Sequence, residues 1–317
     1  MQERKRLAQR IVGLLALSAL LATTPASGRA AATQSGPTHP MRVVILGTGT
    51  PNADPERSGP AVAVVAGNQA YLVDAGPGVV RRAAAANAQH DLPGLAPERL
   101  RTVFLSHLHS DHTLGLPDVM LGNWVLDRPF PLDLYGPAGT QGMAEHIVAA
   151  WDADLKIRTG GLEPHSEPDY EAVVREIEAG VVFRDDRVTV EAFDVPHAEW
   201  PQAFGYKFTD GRRTIVISGD TRPGEALIEA CNGCDVLVHE VYSAEAWHRR
   251  EAVWQAYHAR AHTSTIELAE IARRAQPKLL VLYHQLYWGA DDADLLREIR
   301  EAGYTGEVVS ASDLDIF

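Results

Sequence analysis

The sequence predicts an α/β fold, on three observations. Short apolar runs of strand character alternate with alanine-rich or amphipathic stretches of helical length. The alternation falls into two βαβ-rich halves with no tandem repeat between them, and a histidine or aspartate follows one apolar run after another. The 317 residues, 45% hydrophobic and 22% charged, suffice for a substantial core, as one large domain or two ordinary ones.

Residues 1–32 stand apart from that alternation. Arg4, Lys5, Arg6 and Arg10 precede an apolar run at 11–22 and small residues at 25–32, the tripartite pattern of a cleaved secretory signal. The run is short for a membrane span, so no stable span is expected, with an uncleaved anchor as the alternative. No cysteine lies near the cleavage region, which speaks against a lipoprotein. The expected organisation is a signal peptide at 1–32, a linker at 33–40 and a single domain at 41–317, located in the periplasm or secreted. Cleavage removes Arg4, Lys5, Arg6, Arg10, Arg29 and Glu3, taking the net charge from −13 to −17.

The domain opens with an apolar strand at 42–46 that runs into Gly47-Thr48-Gly49-Thr50-Pro51. A dinucleotide fingerprint would need a third glycine, a following helix and a distal acid, all missing, so this is a backbone turn near the active-site rim. Alternation at 61–66, a Gly67-Asn68 turn and the run 70–73 form a hairpin ending at Asp74, a turn or helix-capping residue. An alanine-rich helix at 81–88 and a Pro93-Gly94 loop lead to the apolar run 102–105. Next come a helix at 114–126 with Trp124 exposed or lining a pocket, a strand at 131–135, and a helix carrying His146 and Trp151. His146 reads as a helix-surface residue. Segment 151–187 carries ten acids against five bases, and His165 lies there in a proline-flanked polar loop.

The second half reads as another sheet, with strands at 188–193, 204–208 and 214–218 and a turn at Asp210-Gly211. A helix at 224–230 ends beside Cys231 and Cys234, which could close a small disulfide in an oxidising compartment and play a structural role either way. A strand at 236–241, a helix at 264–275 and a strand at 279–283 complete the pattern.

The chemistry concentrates in Ser106-His107-Leu108-His109-Ser110-Asp111-His112, directly after the run 102–105. If that run is a buried strand, His107 and His109 leave it on the same side, because side chains alternate with period two. Neutral imidazole and carboxylate are ligands of Zn²⁺. Asp111 and His112 come where the chain turns toward a helix and can face a second point nearby, which suggests two metals sharing one solvent molecule. Thirteen histidines in 317 residues are too few to produce this grouping by chance. Further along, His197, Asp220 and His284 each close an apolar run.

The stretch resembles the signature of the metallo-β-lactamase fold superfamily. The resemblance implies a four-layer αβ/βα sandwich with two mixed sheets and a dinuclear site at their edge. It implies His107, His109 and His197 on one metal, Asp111, His112 and His284 on the other, and Asp220 bridging both. The expected cofactor is two Zn²⁺, with Mn or Fe compatible with the same ligands. Hydroxide held by the metals is the expected nucleophile, with Asp111 orienting it or taking up its proton. Asp74 sits where the superfamily carries a strand-end aspartate that orients the metal loop. A bridging Asp220 resembles the phosphodiesterase, thioesterase and lactonase branches and not the β-lactam-hydrolysing one.

Two more motifs, His239-Glu240 and Ala261-His262-Thr263-Ser264, resemble those of the tRNase Z-like group. There they imply a hydrogen-bonded Glu240–His262 pair, with Glu240 raising the proton affinity of His262 so that it protonates the leaving oxygen. The acidic charge argues against nucleic acid as a partner. No long basic, glycine-rich arm is present either. Together with an export signal, this resembles the periplasmic arylsulfatase-type members. The leading expectation is therefore an exported dizinc hydrolase of small-molecule sulfate or phosphate esters, with a homodimer suggested by resemblance. The alternatives are a tRNase Z-like phosphodiesterase or 3′-tRNA processing endoribonuclease, a lactonase or thioesterase, and a metal-binding protein without catalysis. Trp247, His248, Trp254 and His258, with Tyr287 and Trp288, wall a substrate pocket or pack as core and lid.

Overall fold

The computed structural model describes residues 41–163 and 170–317. The signal-peptide and linker expectations, and His165, lie outside the described residues. The first half supplies strands β1 (Arg42–Gly47), β2 (Ala61–Ala66), β3 (Gln69–Val73), β4 (Thr102–Phe104), β5 (Leu132–Gly136) and β6 (Ala172–Glu176). These form one sheet in sequence order, antiparallel through β3 and parallel from β3 onward. Its helices are α1 (Val79–His90), α2 (Ser110–Thr113), α3 (Asn123–Val125), α4 (Thr140–Ala150) and α5 (Asp152–Gly160).

The second half supplies β7 (Gly180–Arg184), β8 (Thr189–Asp194), β9 (Phe204–Thr209), β10 (Thr214–Ile217), β11 (Val236–Tyr242), β12 (Leu279–Leu286) and β13 (Val308–Ser310). They form a second sheet, antiparallel from β7 to β10 and parallel from β10 to β13. Its helices are α6 (Glu225–Cys231), α7 (Ala244–His248), α8 (Ala252–Ala261), α9 (Thr265–Ala275) and α10 (Asp292–Glu301). Both sheets are mixed, as expected.

Strand alternation generates the layers. Val43 and Ile45 of β1 face inward and share a core with Tyr206, Phe208, Ile215, Val236 and Val281 of the second sheet, while Val44 and Leu46 face outward with α1 and α4. The outer face of the second sheet buries Leu237, Leu280 and Leu282 against α6, α9 and α10. The order is helices, sheet, sheet, helices. Phe104 lies at the centre of the inner core, with ring centroids 4.9 Å from Tyr135, 5.4 Å from Tyr206 and 5.8 Å from Phe208.

One expectation needs refining and another correcting. The expected helix at 114–126 is present but irregular: helical from 116 to 125, it widens into a π turn over Asp118–Gly122 before α3. Pro117 interrupts the donor ladder just ahead of the π turn, and Asp118 lies against Gly122, where a Cβ would come 2.3 Å from Asp118 Oδ1. Trp124 is neither exposed nor on the main cavity. It is 3% exposed and meets Tyr170 edge-on at 5.4 Å, because it packs with Leu116, Val119 and Met120 in the core of the first sheet. Cys231 and Cys234 are joined in a disulfide at the end of α6. Among the described residues no helix is long and apolar enough to cross a membrane.

Candidate metal centre

Every candidate ligand emerges from the carboxyl end of a strand or the loop just beyond it, the end of open α/β sheets where ligands collect. The loop after β4 carries His107 and His109 and passes into α2 with Asp111 and His112. His197 follows β8 and Asp220 follows β10. His284 lies within β12 itself, at a bulge: Tyr283 pairs with Glu240 and Gln285 with Val241, so His284 has no partner across the ladder. Its φ of 46° is a left-handed conformation that costs a non-glycine residue about 1–3 kcal/mol and re-aims the side chain. Gly219, at φ 60°, precedes Asp220, and a Cβ there would lie 2.9 Å from the Ser106 Cβ. Only glycine lets β10 come this close to the metal loop.

The side chains converge. His107, His109, His197 and Asp220 form one group with ligand atoms within 4.8 Å of one another, and Asp111, His112 and His284 form a second. Asp220 Oδ2 lies between them, 3.3 Å from His112 Nε2, 3.6 Å from His284 Nε2 and 4.0 Å from His107 Nε2. Asp111 Oδ2 is 3.3 Å from His284 Nε2 and 3.5 Å from His112 Nε2. All the residues predicted as ligands are thus brought together. His262, expected beside the scissile bond, also stands in a ligand-like group with Asp220 and His284.

The far sides of the rings are fastened. Asp74 accepts from the Ser106 amide at 2.7 Å and hydroxyl at 2.8 Å, and its Oδ2 is 2.8 Å from His112 Nδ1. Its expected role of orienting the metal loop has this geometry. His107 Nδ1 is 2.9 Å from Ser106 Oγ, and His197 Nδ1 donates to the Ala261 carbonyl at 2.7 Å. Trp200 Nε1 donates to His109 Nε2 at 2.9 Å, a contact sequence reasoning missed because an indole carries no ligand signature.

The electrostatics suit cations. Burial, with the neighbouring imidazoles, holds His107 well below its ordinary value and His109 and His197 at about 4, so the three rings are neutral near pH 7. Burial would raise Asp220 and Asp111, but the adjacent histidines overcome it and both are held low and ionised. Burial would likewise lower His112 and His284, yet Asp220, with Asp74 on the first and Asp111 on the second, pushes both up. The centre therefore favours positive charge. Buried His112 Nε2 and Asp220 Oδ1 lack a hydrogen-bond partner, as ligand atoms facing an ion would. The donor set fits two divalent cations.

Beside it, Glu240 is fully buried, its Oε1 accepting from the amides of Thr263 at 2.9 Å and Thr221 at 3.3 Å. Its Oε2 is 3.4 Å from His262 Nδ1, but the expected hydrogen bond is not formed, and both atoms lack a partner. Burial, then the Asp220 charge, pushes Glu240 well up, while burial takes His262 down to about 4 against the pull of Asp220. Thr263 and Ser264 act structurally: Thr263 Oγ1 donates to the Thr221 carbonyl, and Ser264 caps α9 in a capping box with Glu267. His262 alone of that motif faces the cavity.

That cavity, of about 580 Å³, is lined by Asp111, Asp220, His262 and His284, by Arg250, Trp254, Tyr257, His258 and Trp288, and by Pro51 and Asn52. Of the residues expected to wall a pocket, Trp254, His258 and Trp288 line this cavity, joined by Tyr257, while Trp247, His248 and Tyr287 do not. His146 is a surface residue, as expected.

The family model described as a beta-lactamase superfamily domain matches residues 69–285. Ribonuclease Z from Mycobacterium bovis (strain BCG / Pasteur 1173P2) is 32% identical over 284 residues, covering 86% of this chain and 96% of that protein. Ribonuclease Z from Mycolicibacterium gilvum is 33% identical over 254 residues, covering 77% and 84%. Among solved structures, a metallo-beta-lactamase fold protein from Bacillus subtilis, YhfI, superposes with a TM-score of 0.64 at 19% identity, covering 88% of this chain and all of that one. The short form of human tRNase Z superposes with a TM-score of 0.62 at 22% identity, covering 87% and 98%. These structural likenesses speak for the fold.

Proposed function

We propose, because this chain belongs to the beta-lactamase superfamily and is a metal-dependent hydrolase of ester bonds, that its ester is a phosphodiester and that it works as a ribonuclease Z-like phosphodiesterase. The observation that carries the reading is the Glu240–His262 pair standing beside a complete ligand set for two metals. The ribonuclease Z relatives, matched over nearly their whole length, support a phosphodiester over the sulfate ester expected first. They also support RNA or a nucleotide as substrate, against the argument from net charge. A net charge of −13 is a property of the whole surface, whereas the cavity wall carries a cation, Arg250.

Two divalent cations, zinc in this proposal, would be held by His107, His109, His197, Asp111, His112, His284 and Asp220, and when bound supply Lewis-acid stabilisation of the ester's oxygens and water activation at neutral pH. Asp220 and Asp111 stay ionised and hold His112 and His284 in place. The Thr221 and Thr263 amides fix Glu240, and Glu240 sets the orientation of His262. Burial drives both toward their neutral forms: Glu240 carries a proton on the oxygen facing Nδ1, and as His262 gives its Nε2 proton to the departing oxygen it takes that proton from Glu240 on Nδ1. Export of the protein is part of the proposal, supported by the pattern at 1–32 and by the closed Cys231–Cys234 disulfide.

The test is hydrolysis of an aryl phosphodiester and an RNA oligonucleotide by the zinc-loaded protein beside His262→Ala. The variant is expected to lose about 10²–10⁴ in kcat with its metal content unchanged. Loss of metal in the variant would make His262 a ligand, and an unchanged kcat would remove it from the chemistry.

A further inference from the structure

Arg250 is placed where a cation needs a reason. It is half-buried and lines the same cavity as the metal ligands, with its guanidinium 5.1 Å from the Trp288 ring and 5.8 Å from the Trp254 ring. The chain carries 42 acidic residues, yet among the described residues none pairs with Arg250, and its buried Nε has no hydrogen-bond partner. Stacking on indoles orients a guanidinium but leaves its in-plane donors unsatisfied.

The surrounding residues hold this arrangement fixed. Gln255 Nε2 donates to the carbonyls of His248 and Arg250, and Trp247 Nε1 donates to the Gln255 carbonyl, tying the turn between α7 and α8 to both helices. Next to it, His258 stacks on Trp288 with centroids 4.4 Å apart and planes 25° apart. His258 is 6% exposed and lines the cavity, and its buried Nδ1 has no partner. Trp254, 47% exposed, leaves ring surface to solvent on the same wall.

We propose that Arg250, Trp254, His258 and Trp288 form a binding site for one nucleotide of the substrate, taking a planar heteroaromatic ring on the indoles and a phosphate on the guanidinium. Exposed indole surface accepts the ring. The unpaired guanidinium edge matches a phosphate, to which arginine donates in a planar fork. The guanidinium beside the indoles distinguishes a nucleotide, which carries a phosphate next to its ring, from a plain aryl ester, and His258 stacked on Trp288 holds that indole in place. A cavity of about 580 Å³ is of the size that encloses a ligand of this class. The inference rests on the phosphodiesterase reading and names the part of the substrate beyond the scissile bond.

Binding, read from tryptophan fluorescence and calorimetry, separates the two. Adenosine 5′-monophosphate, adenosine and inorganic phosphate are titrated into wild type, Arg250→Ala, Arg250→Lys and Trp288→Leu, with thermal melting to check folding. The nucleotide is expected to bind wild type, to lose about tenfold or more in Arg250→Ala and less in Arg250→Lys, while adenosine is unaffected by either. Trp288→Leu is expected to weaken nucleotide and adenosine alike. Nucleotide affinity indifferent to both positions in folded variants, or inorganic phosphate binding as tightly as the nucleotide, would overturn the site. If the nucleotide binds as expected but no phosphodiester is turned over, the function reading fails and the site stands. If phosphodiesters are turned over and the nucleotide ignores these residues, the site fails and the function stands.

Discussion

Asp74 shows how one side chain organises the centre. It sits at φ 64°, a left-handed conformation that aspartate tolerates better than most residues, and its two oxygens engage the Ser106 amide, the Ser106 hydroxyl and His112 Nδ1. Asp74→Ala would free the loop carrying three of the imidazoles and leave His112 without its outer partner. The expected result is a loss of about 10–100-fold in metal affinity, read by titration against a chelator, with the fold retained. Affinity equal to wild type would reduce Asp74 to a turn residue. At this scale the ligand positions were legible, because imidazole and carboxylate at strand ends carry their own signature. Trp200 and Arg250 were not: an indole or a guanidinium acquires its role only from neighbours, and Trp200 meets His109 across 91 positions of chain. The absent Glu240–His262 hydrogen bond belongs here too, since a motif predicts adjacency and not the angle at which two buried groups meet.

Elements deliver these residues through devices of varying visibility. Strands flanked by turns, β1 to β4 and β8 to β12, were legible from apolar runs and punctuation. Strands β6 and β7 were not, because they are edge strands of their sheets and their apolar residues stand side by side in sequence without alternating. The β12 bulge is equally silent in sequence, since it depends on the register against β11. The α7–α8 segment over the cavity is anchored by Glu298 of α10, a buried carboxylate accepting from the Ser243 hydroxyl at 2.6 Å, the Ala244 amide at 2.8 Å and the Thr265 hydroxyl at 2.5 Å. Glu298→Ala strands the buried Ser243 and Thr265 hydroxyls at about 1–3 kcal/mol each and leaves the Ala244 amide only its 3.2 Å contact with Thr265 Oγ1, so a loss of at least about 2 kcal/mol is expected in chemical denaturation. A loss below about 1 kcal/mol would show that these donors find other partners.

In the whole molecule, two mixed sheets face each other through an aromatic core, and each supplies part of the metal centre: the first the loop after β4, the second His197, Asp220, Glu240 and His284. The four layers followed from the family resemblance; the apolar runs alone predicted only α/β. Net charge misled the reading of substrate because it averages over a surface, while recognition depends on the few groups that face the cavity. The most direct measurement is kcat/KM of the zinc-loaded protein for a bis-aryl phosphate against an aryl sulfate with the same leaving group. A clear preference for the phosphodiester, abolished when zinc is chelated and restored on its return, is the predicted result. Preferential turnover of the sulfate would contradict the phosphodiesterase account and return the protein to the sulfate esters.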